Sequence, residues 1–336
     1  MDSSCKENIE VNDLKRIVIR ALRKLYNEFN KNKYSFWDLS RVELEGQEAN
    51  DYLRRIILEN PSSGLMVSKF GTIEINSVCC CKRNRDGLKF NDYIDYIKGK
   101  GTIYPENSID YLYSNAGFFP KSLLLQEQFM NRVLEDIKEI DILGSYIDQE
   151  SYLEKELAHC KKIDIYGYCA PFAYKNPWTG ALKGKKVLVV HPFTESIKKQ
   201  YSIREKLFSD PNVLPEFEAL YLVKAVQSIA GNGKNSGYND WFEALHAMEK
   251  EIDNYDYDIA LIGCGAYGMS LAAHCKRKGK IAIHMASWVQ MLFGIYGQRW
   301  VVDQPEYAGF INKYWTRPLE SEKPQNADIV ENGAYW

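Results

Sequence analysis

The 336 residues carry 43 Lys and Arg against 45 Asp and Glu, a formal net charge of -2, with 45% hydrophobic residues. That length is enough for a sizeable core, in one large α/β domain or two intimate lobes. The near-balance of charge excludes a nucleic-acid binder that works through a basic excess.

The start, Met1-Asp2-Ser3-Ser4-Cys5-Lys6-Glu7, has no apolar signal core, and no apolar run approaches the ~20 residues of a membrane span, so a soluble cytoplasmic protein is expected. A helix over residues 11 to 29 follows. Leu14, Ile17, Val18, Ala21, Leu22 and Leu25 fall on one face, and Lys15, Arg16, Arg20, Arg23 and Lys24 on the other. Such a helix either docks on anionic lipid, a peripheral contact with the inner face of a membrane, or is a solvated surface helix, which is the commoner case. A second helix runs from about Gly46 to Leu58 and stops at Asn60-Pro61.

Residues 64 to 70 read as a strand, Gly71 as a turn and Thr72 as the start, or cap, of a helix. Glu74 falls in its first turn, where the helix dipole favours a carboxylate. It is either a helix-start acid or a carboxylate at the mouth of a ligand cleft. Of eight cysteines, Cys79-Cys80-Cys81 are consecutive and no C-x-x-C occurs, so free thiols are expected rather than a zinc site or disulfide framework. A turn over Asn115–Pro120 precedes a helix from about Lys121 to Ile140. A strand at 142–146, a helix near 151–159 and a strand at 163–166 come next. Asn176-Pro177-Trp178 through Lys186 is the clearest seam.

After the seam, Val187–His191 is a strand, followed by a helix from residue 194 or 195 to 208. Strand material lies in 217–223 and 225–229, with a glycine-rich polar loop at 231–237 and a helix at 241–252. A βαβ unit closes the series: strand 257–262, a glycine turn, a helix, and strand 280–284. Residues 184 to 285 thus alternate strand and helix about three times, which implies a parallel sheet with helices on both faces. A helix near 286–294 and a polar tail follow, and Tyr335-Trp336 should pack back on the body.

The turn spells G-x-G-x-x-G at Gly263, Gly265 and Gly268, a pattern that lets a diphosphate approach the main chain at a helix N-terminus. A nicotinamide site also wants an acid at the end of the next strand. Here that strand ends in His284. The earlier strand ends in His191-Pro192-Phe193, with no glycine. His191, His284 and Gln290 fall where open α/β sheets bind ligands, at the carboxyl ends of strands. No P-loop, G-x-S-x-G or HExxH is present. The residues leave open a sugar-nucleotide enzyme, an NAD(P)-dependent oxidoreductase, and a non-catalytic nucleotide-binding protein of a polysaccharide assembly.

Ser68-Lys69-Phe70-Gly71-Thr72-Ile73-Glu74, paired with Ile259–Gly268, resembles bacterial glycosyltransferase-like proteins of the GT-D fold, in a branch associated with polysaccharide biosynthesis. Asn176-Pro177-Trp178, Gly184–Phe193, Leu292-Phe293-Gly294-Ile295 and Tyr335-Trp336 are similar to that branch as well. The resemblance implies an α/β, mostly parallel, Rossmann-like sheet with an N-terminal helical segment. On that basis residues 1–60 are helical, 61–182 form a first α/β lobe with the FGTIE segment, and 183–336 a Rossmann-like lobe. It further implies transfer of a sugar from a nucleotide-sugar donor, UDP-linked for example, to a glycan or lipid-linked acceptor in surface polysaccharide synthesis. Glu74 would be the catalytic acid–base residue and the one carboxylate for Mn²⁺ or Mg²⁺. Gly71, Thr72, His191, Gly263, Gly265, Tyr267, Gly268, His284 and Gln290 would hold the donor. Family members with known chemistry have a D-x-E pair there; Thr72 stands at the Asp position and Lys69 at an Arg position. One Glu with a hydroxyl is a poor cage for a hard cation.

Overall fold

The computed structural model describes residues 3–30, 40–59 and 61–336, with side chains of the first helix described from residue 14. The predicted stop at Asn60 lies outside the described residues. Two helices, α1 (Ser3–Phe29) and α2 (Gly46–Glu59), precede strand β1 (Leu65–Ser68). Four helices follow: α3 (Thr72–Arg85), α4 (Phe90–Ile97), α5 (Pro105–Asn115) and α6 (Leu123–Ile137). Then come β2 (Ile142–Ser145), β3 (Lys161–Asp164) and α7 (Ile165–Cys169). The second half runs β4 (Lys186–His191), α8 (Thr194–Tyr201), β5 (Ala219–Lys224), α9 (Trp241–Ile252), β6 (Ile259–Ile262), α10 (Gly268–Arg277), β7 (Ile281–His284) and α11 (Trp288–Leu292).

The fold is α/β, with seven parallel strands in the order β3-β2-β1-β7-β6-β4-β5. Residues 61–182 contribute three of these strands and 183–336 four, and β1 pairs with β7 in register Leu65↔Ile281, Met66↔Ala282, Val67↔Ile283. β1, β6 and β7 are buried along their whole length, the pattern of strands covered on both faces. Handedness then fixes the layers. β4 steps outward to β5, whereas β5 to β6 and β6 to β7 step the other way. Right-handed crossovers therefore put α8 on one face and α9 and α10 on the other. α10 packs on β1, β6 and β7 beside α6 and α9. The point where the stepping direction changes lies between β4 and β6, and its carboxyl edge is bounded by His191 and Gly263.

Several expected boundaries move for local reasons. Ser122 Oγ accepts the Leu125 N–H, so α6 begins at Leu123. The expected helix near 151–159 is a 3-10 turn at Asp148–Leu153, because the Glu150 carboxylate accepts the Tyr146 and Ile147 N–H groups. Asp164 caps α7 and ends β3 at residue 164. α8 stops at Tyr201, whose ring stacks on Phe217 and whose hydroxyl accepts the Phe217 N–H (2.7 Å). Residues 225–229 leave the sheet and line a cleft. Helices α4 and α5 had no counterpart in the sequence reading. The seven described cysteines are buried and free, and burial pushes their thiols up, Cys79 to about 12, which makes them poor nucleophiles.

Helix α1 is docked in an unexpected sense. Its basic face meets the body: Lys15 lies over Tyr93, Arg16 and Arg20 over Tyr104, Arg23 over Tyr96, and Arg16 pairs with Glu106. The guanidinium planes find aromatic faces there, and only Ile19 of the described apolar side chains is buried. Leu14, Ile17, Val18, Leu22, Leu25 and Phe29 are exposed. Ile17→Glu, at a site 63% exposed, should therefore change stability by no more than about 0.5 kcal/mol in urea melts, as surface substitutions do. Among the described residues no helix is long and apolar enough to cross a membrane.

Candidate active site

The carboxyl ends of β1, β4, β6 and β7 open into one cleft of ≈ 590 Å³, within the usual range for small-ligand sites. Gly71, Thr72 and Glu74 form one wall, and His191, Gly263, Gly265, Tyr267, His284 and Gln290 line the rest. The FGTIE segment and the glycine turn, far apart in the chain, thus share a cavity. Gly268 does not line it.

β1 delivers Lys69 and the start of α3. Gly71 is the N-cap, with no side-chain cap, and Thr72 is the first helical residue rather than the cap. The Glu74 carboxylate folds back over Gly71: a Cβ there would lie 2.0 Å from Oε2. The glycine thus makes room for the acid. Burial raises the Glu74 carboxyl above its ordinary range; its own main-chain N–H and Lys69 pull it back, and Glu331 pushes it further up. Burial also lowers Lys69, opposed in part by Cys169 and Glu74. Lys69 Nζ donates to the Tyr146 hydroxyl (3.2 Å), which donates to the Phe70 carbonyl (2.7 Å). A carboxyl with raised affinity for protons and a lysine with lowered affinity, lining one cleft, form an arrangement suited to proton transfer.

The glycine turn follows β6, but its glycines answer to packing. A Cβ on Gly263 would lie 2.2 Å from the Ala286 carbonyl oxygen, and one on Gly268 2.3 Å from His284 Nε2. Gly265 has φ +57 and faces the Ala116 carbonyl oxygen, a left-handed position that favours glycine. The Ala266 N–H donates to that same Ala116 oxygen (3.1 Å), and the Gly268 N–H to Gly265. Part of the expected phosphate cradle is therefore engaged internally. Gly268 serves as the platform for His284 and is not a wall of the cleft.

The two strand-end histidines are held neutral. His191 Nδ1 accepts the Phe193 N–H (3.0 Å), which leaves the proton on Nε2, a donor for a ligand. His284 Nδ1 bonds Ser68 Oγ (3.0 Å) and its Nε2 has no partner. Burial pushes both down to about 3, helped at His284 by Lys69.

Tyr267 stacks on Trp241 (5.2 Å, 7°), and its hydroxyl bonds Ser228 Oγ (3.0 Å). Since Ser228 already donates to the Gly117 carbonyl, Tyr267 is the donor in that bond and its hydroxyl is engaged. Gln290 Nε2 donates to the Tyr335 (3.3 Å) and Ile295 (3.5 Å) carbonyls, so it ties down the 331–336 segment. That segment does pack back, with Trp336 edge-to-face on Phe193 (6.1 Å).

Arg299, Glu331, Ser287 and Asp303 also line the cleft and were not singled out from the sequence. Arg299 donates to Ser287 Oγ (3.3 Å), the Tyr335 hydroxyl (3.3 Å) and the Glu331 carboxylate. No motif marks it; it belongs to an irregular stretch that reaches the cleft only through tertiary folding. For a divalent cation, the donor set is thin: among the described residues no group of three or more His, Cys, Asp or Glu side chains is arranged to hold a metal ion, and Glu74 shares the cleft with Lys69. Comparison with family models, curated proteins and solved structures returned no match.

Proposed function

We propose that this cleft binds a nucleotide-sugar donor, UDP-linked or related, and that the protein transfers the sugar to a hydroxyl of a glycan or lipid-linked acceptor in bacterial surface polysaccharide synthesis, as the GT-D resemblance implies. The observation that carries the reading is the shared cavity of Glu74 and the glycine turn at the carboxyl edge of the sheet. In this mechanism Glu74 accepts the proton of the attacking hydroxyl, its raised affinity for protons placing it closer to working pH. As the bond from sugar to diphosphate breaks, charge builds on the leaving group. Lys69 and the His191 Nε2–H supply a preorganised positive charge and a donor there. No step runs through a divalent ion, since the side chains present fit one poorly. Peripheral membrane contact, if the acceptor is lipid-linked, would use the outward apolar stripe of α1, because the cations on its other face are committed to tyrosines.

The test is transfer by the purified protein with a donor panel. Glu74→Gln should lower turnover at least about a hundredfold, the usual scale for a general base, with donor Kd little changed. The same variant should raise the melting temperature at pH 7 by roughly 2 °C or more, because a carboxyl whose charged form burial disfavours is no longer enclosed. Gly71→Ala, whose Cβ would displace the flexible Glu74 carboxylate and not the backbone, should lower turnover with little change in melting. Full activity in both variants would remove Glu74 from the mechanism. Saturable NADH binding that UDP does not compete would favour the oxidoreductase reading instead.

A further inference from the structure

Two carboxylates from the segment after residue 319 reach the carboxyl edge of the sheet, and they are held differently. Glu322 is buried. Its carboxylate accepts the Glu195 N–H (2.8 Å), the Ser196 N–H (3.2 Å) and the Ser196 hydroxyl at the start of α8, and Gln227 Nε2 donates to its main-chain oxygen (3.0 Å). That is a fixed clasp. Glu331 pairs instead with Arg299 on the cleft wall, with side chains 33% and 25% exposed respectively. An ion pair open to solvent to this degree is weak and exchangeable, unlike the buried clasp.

The backbone at Glu331 is strained as well. Glu331, Asn332 and Gly333 have φ of 46, 56 and 76, three successive left-handed residues of which Asn and Gly suit the region and Glu331 does not. Beyond them residues 334–336 are held firmly: the Arg299 N–H donates to the Ala334 carbonyl (2.9 Å), the Gln298 N–H (3.1 Å) and Arg317 donate to the Trp336 carbonyl, and Ala334 is buried. The looser part is the turn at 331–333, whose Glu331 side chain is tied to the cleft wall through Arg299.

We propose that residues 331–333 form a displaceable strap, that the Glu331 carboxylate holds the position a ligand phosphate takes, and that Arg299, released from Glu331, is the residue that grips that phosphate. The guanidinium fork accepts a carboxylate or a phosphate in the same bidentate geometry, and the phosphate brings more charge. Exchange also lets Glu331 leave the left-handed region. Glu322 stays clasped and residues 334 and 336 stay bonded to Arg299 and Gln298, so the strap moves between two fixed anchors. The proposal rests on the reading that the cleft takes a diphosphate.

The experiment titrates the full chain with inorganic pyrophosphate and with UDP by calorimetry, and follows hydrogen exchange over residues 331–333. Glu331→Gln removes the internal competitor and should tighten both ligands by roughly threefold or more, since the competent state is then more populated. Arg299→Ala should weaken both by about tenfold or more, and the double variant should remain weak. Ligand should speed exchange over 331–333 in the native chain. Unchanged or weaker binding in Glu331→Gln, ligand binding without faster exchange, or no binding of either probe would each overturn the strap. Sugar transfer with normal ligand dependence in Glu331→Gln would overturn the strap while leaving the proposed function intact. Tightened binding without any transfer would support the strap and count against the transferase.

Discussion

Gly263→Ala should lower stability by about 3 kcal/mol or more, and Gly268→Ala by a comparable amount, with or without a nucleotide present. A methyl at 263 would meet a main-chain oxygen, Ala286 O, at 2.2 Å, with His191 Cδ2 and Val289 Cγ2 each at 3.0 Å. None of these is the free end of a flexible chain, so β6, β7 or the loop after β7 would have to move. At 268 the methyl would meet the His284 ring, itself anchored on Ser68. Gly309, with nothing within 4 Å of its added Cβ, is the control: Gly309→Ala should be neutral or slightly stabilising. Urea midpoints of the three variants decide the matter. Native stability in Gly263→Ala, with loss only of nucleotide affinity, would show that the glycine serves the ligand and not the fold.

Acidification from pH 7 to 4.5 should remove up to about 5 kcal/mol of the folding free energy, through His191 and His284. Both are pushed from 6.5 to about 3. The unfolded chain therefore binds protons at these positions first. The stabilisation is complete above about pH 6.5 and is lost as pH falls toward 3. Each histidine contributes a slope of about 1.4 kcal/mol per pH unit, so the pair removes roughly 5 kcal/mol over two units. Total stabilities are commonly only about 5–15 kcal/mol. Glu74, Glu150 and Asp136, all raised by burial, work in the opposite direction and soften the fall. Urea melts at pH 7, 6 and 5 measure the slope, and His284→Asn should reduce it by about half. A flat profile down to pH 5 would mean that the histidines are more open to solvent than the packing around them indicates.

The same burial bears on the chemistry. Neither histidine changes charge in the physiological range, so in the proposed reaction His191 acts as a fixed donor through Nε2. Burial shifts the other two groups toward their neutral forms, Glu74 upward and Lys69 downward. Both histidines were placed correctly at strand ends from the sequence, but their protonation follows from enclosure, to which a strand-end position is blind.

The strand–helix alternation from 184 to 285 was legible because apolar runs such as Val187–Val190 and Ile259–Ile262 are bounded by turn residues and by caps such as Asp240 on α9. Those are local properties, set by neighbours in the chain. Helices α4 and α5 were not legible, since much of their apolar content is tyrosine, which also suits strands and loops. The sense of α1 was misleading: periodicity identifies an apolar face but not whether that face turns inward, and here the tyrosines at 93, 96 and 104 drew the arginines to the body.

The amino-acid sequence determined the period of each element, the parallel α/β class and two segments able to carry a site, because backbone propensity and hydrophobic spacing act over a few residues. Tertiary structure alone decided that Glu74 and Gly263 face one cavity, that Gly268 supports a histidine, and that Arg299 and Glu331 meet on its wall. Those outcomes depend on strand order and on loops closing over long chain distances, where the entropy of closure is offset only by packing of the whole sheet.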